Sequence, residues 1–356
     1  MEAAGRALED CGLSRDSIDG IVSYPTGPRA EELIGTLDLR AVGFTATSRL
    51  GGASSVAGLQ VAMAAIMSGA ATVVLCYFAR NGSSRSRIHD RISTLLPAPH
   101  LREGIERPHG LSTPAQLYAL LCQRHMYEHG TTREQLGQVA VTMRSHAQLN
   151  PGAQLYGRPL AMDDYLASPA VSLPYLRADC CLETDGSCAV IVVSDEVAAR
   201  LDREPVVLAA VAEGHPPSPD DLVSRNPFLE TGLRHAASAA FDTAGLRPAD
   251  VDVAMIYDCF TFEVIHQLEE AGFCGLGDGG PFVESGAIAL GGALPVNPHG
   301  GLMAEGHLGG MNHVVEAVRQ LRDEAGGRQV DSAQVAAVTG WGDLGDGAMA
   351  LLVRHG

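Results

Sequence analysis

Cys11–Tyr24, CGLSRDSIDGIVSY, and Ala244–Tyr257, AGLRPADVDVAMIY, carry one pattern twice: Gly12 aligns with Gly245, Leu13 with Leu246, Asp19 with Asp252 and Tyr24 with Tyr257. Each copy reads as a helix end, a turn and a buried strand. In both halves a Gly-Gly loop follows, Gly51-Gly52 and Gly300-Gly301, then an apolar-faced helix and another strand, Ala71–Tyr77 in the first half and Gln334–Thr339 in the second. One βαβ unit has been used twice. Strands alternating with helices imply parallel sheets covered on both faces. Ligand sites then belong at the carboxyl ends of the strands, where Tyr257, Gly52, His307 and Trp341 gather.

The repeat divides the chain into residues 1–200 and 201–356. The first half carries an inserted lobe, about 80–179, richer in Arg, His and Pro, with helices expected at Pro114–His129 and Arg133–Ala147. The second half has a strand, Pro205–Ala212, ahead of its helix, and the first half opens inside the matching helix, so an N-terminal strand is expected to be missing. Val56–Ala79 is nearly apolar, but Gln60 interrupts it and Ser68-Gly69 divides it into a buried helix and a buried β-branched strand rather than a membrane span. The opening residues Met1–Asp10 read as an acidic amphipathic helix fragment without the basic and apolar regions of a signal peptide, and the expectation is a cytoplasmic protein.

All 25 basic residues are Arg, against 42 acidic ones, which leaves a net charge of −17 on 356 residues. The absence of lysine removes Schiff-base aldolase chemistry, a pyridoxal-phosphate anchor and the Walker-type phosphate loop. An acidic chain with scattered Arg is a poor polyanion binder, so neither nucleic acid nor membrane insertion is expected. The eight Cys contain no CxxC pair and read as reduced core thiols, with no metal site expected.

Three motif matches carry no chemistry. Gly340–Gly345, GWGDLG, satisfies GxGxxG but precedes the last strand with no room for a βαβ unit. His125–His129, HMYEH, satisfies HxxEH, yet Gly130 ends that helix and the histidines suit its negative C-terminus. Gly275–Gly280, GLGDGG, reads as a loop over the site.

Tyr257-Asp258-Cys259-Phe260, Asn297-Pro298-His299-Gly300-Gly301 with Gly306-His307, and Asp179-Cys180-Cys181 with Glu183-Thr184-Asp185-Gly186 resemble, over essentially the whole chain, the blocks of the thiolase superfamily. The nearest pattern is that of the sterol-carrier-type thiolases and bacterial lipid-transfer-protein homologues. The resemblance implies duplicated α/β halves whose stacked mixed sheets form five layers, α-β-α-β-α, with an inserted loop lobe. It implies a homodimer core as well. The chain departs from the family at its chemistry. The nucleophilic cysteine position at the head of the first buried helix is Gly52, the second cysteine position is Trp341 with Asp343 in place of a glycine, and the histidine of the HDCF block is Tyr257. The GHP histidine is kept as His307, although Leu308 replaces the proline.

Without either cysteine, covalent acyl transfer needs a substitute such as Ser54, Ser55 or Cys259. What survives is an oxyanion site suited to a thioester enolate, with His307 and loop amides as donors. That fits a retro-aldol cleavage of a 3-hydroxyacyl-CoA, with no tightly bound cofactor and coenzyme A as part of the substrate. The pattern resembles the actinobacterial aldolases that shorten steroid side chains and require a partner carrying a small OB-fold domain. In that group a tyrosine often sits where His307 stands, so either Tyr257 or His307 is the base. Tyr257, His307 and Asp343 are the catalytic candidates; Gly52, His299, Gly301 and Trp341 are the substrate and oxyanion-loop candidates. Glu305 and Asp258 read as supporting groups, and His313 as a core or dimer-facing residue. The alternatives are a catalytically inactive scaffold or lipid-binding subunit, and a cysteine-independent acyltransferase of natural-product assembly.

Overall fold

The computed structural model describes residues 1–85, 87, 102–218, 222, 224–342 and 345–356. Its two main sheets each hold one copy of the repeat. The first has the order β2 (Phe44–Thr47), β1 (Gly20–Ser23), β3 (Val73–Asn81), β6 (Asp185–Val193); the ribbon of β4 (Ala170–Ser172) and β5 (Tyr175–Leu176) lies in the insert. The second has the order β7 (Val206–Gly214), β10 (Gly347–Arg354), β9 (Val335–Trp341), β8 (Val253–Met255).

The duplicated aspartates do the same work in both halves. The Asp19 carboxylate accepts the amides of Thr72 and Val73, at 2.9 and 2.8 Å, where β3 begins beside β1. That of Asp252 accepts the amides of Gln334 and Val335, at 2.8 and 3.0 Å, where β9 begins beside β8. Each thereby satisfies strand-end donors that the ladder leaves open. Gly12 and Gly245 close the preceding helices in the left-handed conformation, with φ of 71° and 66°.

β1 runs parallel to β2 and β3, and β8 parallel to β9, as the repeat implies. The sheets are mixed, because β6 is antiparallel to β3 and β10 is antiparallel to both β9 and β7. Between β9 and β10 lie only residues 342–346, too few for a parallel crossover. Among the described residues β6 has no neighbour on its outer side, while the equivalent place beside β10 holds β7.

The helices Ser54–Met67 and Met311–Leu321 pack between the two sheets. Ser54–Met67 has sheets on both sides, which explains why Val56, Ala57, Leu59, Ala62 and Ala65 are all buried and small residues recur around it. Glu2–Cys11 and Ala30–Leu37 cover the outer face of the first sheet, and Gly232–Ala244 the outer face of the second, giving five layers. No helix among the described residues is long and apolar enough to cross a membrane.

The described part of the insert does not stay with its own half. Its helices Pro114–His129 and Arg133–Ala147 pack over the second sheet, against Thr261–Glu270 and Gly279–Glu284. Thr261–Glu270 is buried along its whole length, so its polar side chains need partners inside the protein. Glu270 takes Arg234 at 2.5 Å, and Glu269 takes His125 at 3.0 Å. His125, read from sequence as part of a capped helix end, therefore ties the insert to the second half. Gly275–Gly280 does the same: the Gly279 amide reaches Glu269 at 2.9 Å, and a β-carbon at Gly280 would meet the Gln135 side chain. It packs on these two helices rather than forming the loop over the site that its glycines led us to expect.

Candidate active site

Tyr257 follows β8 at its carboxyl end, and its backbone is held at both its amide and its carbonyl. Its amide donates to Thr339 Oγ1 at 3.3 Å, and its carbonyl accepts from Gln267 Nε2 at 2.7 Å. Thr339 and Gln267 are themselves bonded at 2.8 Å. One residue earlier, the Asn297 side chain pairs with both the amide and the carbonyl of Ile256, each at 2.8 Å, like one rung of a neighbouring strand.

The fixed backbone sends the ring across to the first half, into a slot between two glycines. A β-carbon at Gly310 would lie 3.2 Å from Tyr257 Cδ2, and one at Gly52 would lie 2.5 Å from the Tyr257 hydroxyl and collide with the Trp341 carbonyl as well. Gly52 sits in the turn Gly51–Ala53 that opens the buried helix Ser54–Met67. The phenol therefore occupies the room that a side chain at position 52 would need. Burial pushes the Tyr257 hydroxyl well above the ordinary tyrosine range, with Tyr24, Cys259 and Cys181 adding to the shift and Arg80 opposing it.

His307 lies in the loop before Met311–Leu321, its amide donating to Thr184 Oγ1 at 2.9 Å. Its Nε2 is 3.3 Å from the Tyr257 hydroxyl, and its Nδ1 is 2.8 Å from Arg80 Nη2. A guanidinium carries donors only, so Nδ1 is the acceptor and the neutral ring bears its hydrogen on Nε2. The Gly309 amide approaches Nδ1 on the same terms at 3.4 Å. His307 thus gives a hydrogen to the phenol oxygen and does not take one from it.

Tyr257, His307, Gly52 and the Trp341 backbone come together across the two halves. The other candidates stand further back. The Trp341 ring is buried between Tyr118 and His266, with centroids 6.2 and 5.4 Å away, and its indole N–H has no hydrogen-bond partner among the described residues. Gly301, with φ 64°, lies against the Asp258 carboxylate, which also accepts the amides of Leu302 and Met303 at 2.8 and 3.2 Å. His299 belongs to a buried line behind the site: Asp258 Oδ1 is 3.2 Å from His313 Nε2, His313 Nδ1 is 3.0 Å from His299 Nε2, and Glu305 Oε2 is 3.7 Å further on. Burial holds His299 well below the usual histidine range and pushes Glu305 up to about 7. Asp343 lies outside the described residues.

The substitute nucleophiles are engaged or inert. Ser54 Oγ accepts the Leu50 amide at 3.0 Å, and Ser55 Oγ donates to the Gly309 carbonyl at 2.6 Å. Burial pushes the Cys259 thiol well above its usual range, away from the thiolate that attack requires. All eight cysteines are free.

Sequence reasoning missed Arg80. It stands at the carboxyl end of β3, and a cation at the end of a buried strand, in a chain without lysine, was the available signal.

Residues 218–354 match the family described as thiolase C-terminal domain-like. The chain is 38% identical, over 90% of its length and 85% of the relative's, to the 17-hydroxy-3-oxo-4-pregnene-20-carboxyl-CoA lyase of Mycobacterium tuberculosis. It is 34% identical to the steroid side-chain-cleaving aldolase of Thermomonospora curvata, covering 96% of this chain and 89% of that one. The solved structure described as the Ltp2-ChsH2(DUF35) aldolase superposes with a TM-score of 0.89 at 32% identity, over 98% of this chain and 90% of that one.

Proposed function

The chain belongs to the thiolase superfamily, as a carbon–carbon lyase of its aldolase branch, and on that premise we propose that it cleaves 3-hydroxyacyl-CoA thioesters of the steroid side-chain type by a retro-aldol step. The substrate hydroxyl loses its proton and the bond between C2 and C3 breaks. C3 leaves as the carbonyl of a ketone or aldehyde. The electron pair passes into the thioester as an enolate, and protonation at C2 releases a shorter acyl-CoA. No acyl group is attached to the protein at any point.

The observation that carries this reading is the 3.3 Å contact between Tyr257 and His307 over a glycine at the nucleophile position. A phenol raised well above its ordinary range rests in its neutral form and is a poor free base. It serves best as a shuttle, accepting the substrate hydroxyl proton as its own proton passes to C2, in one concerted transfer. Tyr257 is the acid/base in this account. His307, with hydrogen on Nε2, supports the oxygen that is momentarily negative, whether phenolate or enolate. Gly52 leaves room for the phenol, and Asp258 with His313 and His299 steadies the backbone beneath it.

The protein is proposed to act with a partner carrying a small OB-fold domain and to form a homodimer core. The composite name of the solved aldolase, Ltp2-ChsH2(DUF35), supports a partner protein for this chain. The test is product analysis. With such a partner and a hydroxylated steroid side-chain acyl-CoA, the protein is expected to release a ketosteroid and a short acyl-CoA in equal amounts, and no cleavage would count against the reading.

A further inference from the structure

Arg80 lies 227 residues before His307 in sequence and bonds its ring at 2.8 Å. The approach is built from both sides. Arg80 pairs with Gly186 across β3 and β6, and a β-carbon at Gly186 would meet Leu308, so the missing side chain lets the 306–309 loop settle beside Arg80. The guanidinium stands 5.0 Å over the Phe78 ring, which Tyr24 holds edge-on at 4.8 Å. The Tyr24 hydroxyl in turn donates to the Gly51 carbonyl at 2.8 Å. The same scaffold therefore fixes Arg80 and the turn carrying Gly52.

We infer that Arg80 is a positioning residue that locks His307 in the tautomer with Nδ1 bare and Nε2 protonated, aiming that hydrogen at the Tyr257 oxygen. The Gly309 amide favours the same form from 3.4 Å, but the charged donor at 2.8 Å is the stronger of the two. With Nδ1 capped, the imidazole can only give its Nε2 hydrogen toward Tyr257. With Nδ1 protonated instead, two acceptors would face each other across 3.3 Å, or the phenol would surrender its hydrogen to the ring and lose it for chemistry.

The inference deepens the aldolase reading and depends on it only for the use made of the Nε2 hydrogen. Its first test needs no substrate. In the full chain labelled with 15N-histidine, a long-range 1H–15N correlation spectrum, with His307 identified by its loss in His307→Gln, is expected to show Nδ1 unprotonated and Nε2 protonated. Arg80→Met should turn His307 into a mixture of tautomers, and Arg80→Lys, which keeps a donor, should preserve the native form. A native ring protonated on Nδ1, or a tautomer unchanged in Arg80→Met, would overturn the inference. In turnover, Arg80→Met is expected to lower kcat about 10- to 100-fold with KM nearly unchanged and Arg80→Lys to recover most of it. Equal loss in both variants, or loss confined to KM, would contradict the positioning role. If the native tautomer depends on Arg80 as described but no carbon–carbon cleavage is found, the aldolase reading fails and the inference about Arg80 stands.

Discussion

The Tyr257 hydroxyl lies 2.5 Å from where the β-carbon of any side chain at residue 52 would have to be. The two positions exclude each other, so a thiolase nucleophile at 52 and this phenol cannot share the site. Gly52→Ala should therefore displace the ring, lowering stability by about 1–3 kcal/mol and turnover with it. Thermal unfolding and kcat measured for Gly52→Ala, Tyr257→Phe and the double variant check this. The double variant should be less unstable than the sum of the two, because removing the hydroxyl relieves part of the clash. Strict additivity would mean that the residues do not meet.

Acyl attachment is the second point of decision. Intact mass after incubation with an acyl-CoA is expected to show no added acyl group, since Ser54 and Ser55 are committed to the Leu50 amide and the Gly309 carbonyl, and burial keeps Cys259 a thiol. An adduct on any of the three would favour the acyltransferase alternative.

Glu263 is buried without an ion pair among the described residues, and burial pushes its carboxyl up to about 8 from an unfolded value of 4.5. A folded value above the unfolded one means that the native state holds the extra proton. Its stabilisation is complete below pH 4.5 and is lost as pH rises through 8. Glu263→Gln keeps the neutral form throughout. Its melting temperature should therefore rise relative to the parent at pH 8 and differ little at pH 5, as calorimetry at the two pH values will show. A gain at pH 5 equal to that at pH 8 would rule out this origin.

Asp19 and Asp252 offer a test of the duplication itself. Each holds the start of a strand through backbone amides, so Asp19→Ala and Asp252→Ala should each cost ~1.5 kcal/mol in denaturant unfolding, toward the lower end for bonds to a charged acceptor because both sites are solvent-accessible. A loss at one site only would break the functional equivalence of the two copies.

The parts legible in the sequence were those that local patterning controls. The repeated helix–turn–strand unit and the bounds of Pro114–His129 and Arg133–Ala147 follow from glycine stops, threonine caps and apolar periodicity. The meeting of Tyr257 with His307 followed from motif blocks and the carboxyl-end rule. Arg80 was marked in the sequence only as a lone cation at a strand end; its partner lies in the other half, and the two meet where the 306–309 loop packs beside Gly186, its β3–β6 neighbour. The placement of the insert over the second half was hidden for the same reason: nothing in Pro114–His129 says which sheet it will cover. The antiparallel course of β10 is set by a short connection, which βαβ alternation alone does not reveal. His299 read as a loop residue and is wholly buried, since its contacts with His313 and Glu305 come from the fold around it.

The central claim is that one phenol oxygen moves the protons of carbon–carbon cleavage. Single-turnover analysis of wild type and Tyr257→Phe, each with the OB-fold partner and a hydroxylated steroid side-chain acyl-CoA, tests it most directly. The account predicts that Tyr257→Phe binds the thioester about as tightly as wild type and releases ketosteroid and short acyl-CoA some 10²- to 10⁴-fold more slowly, about the contribution of a positioned acid/base. Release by Tyr257→Phe at the wild-type rate would contradict it.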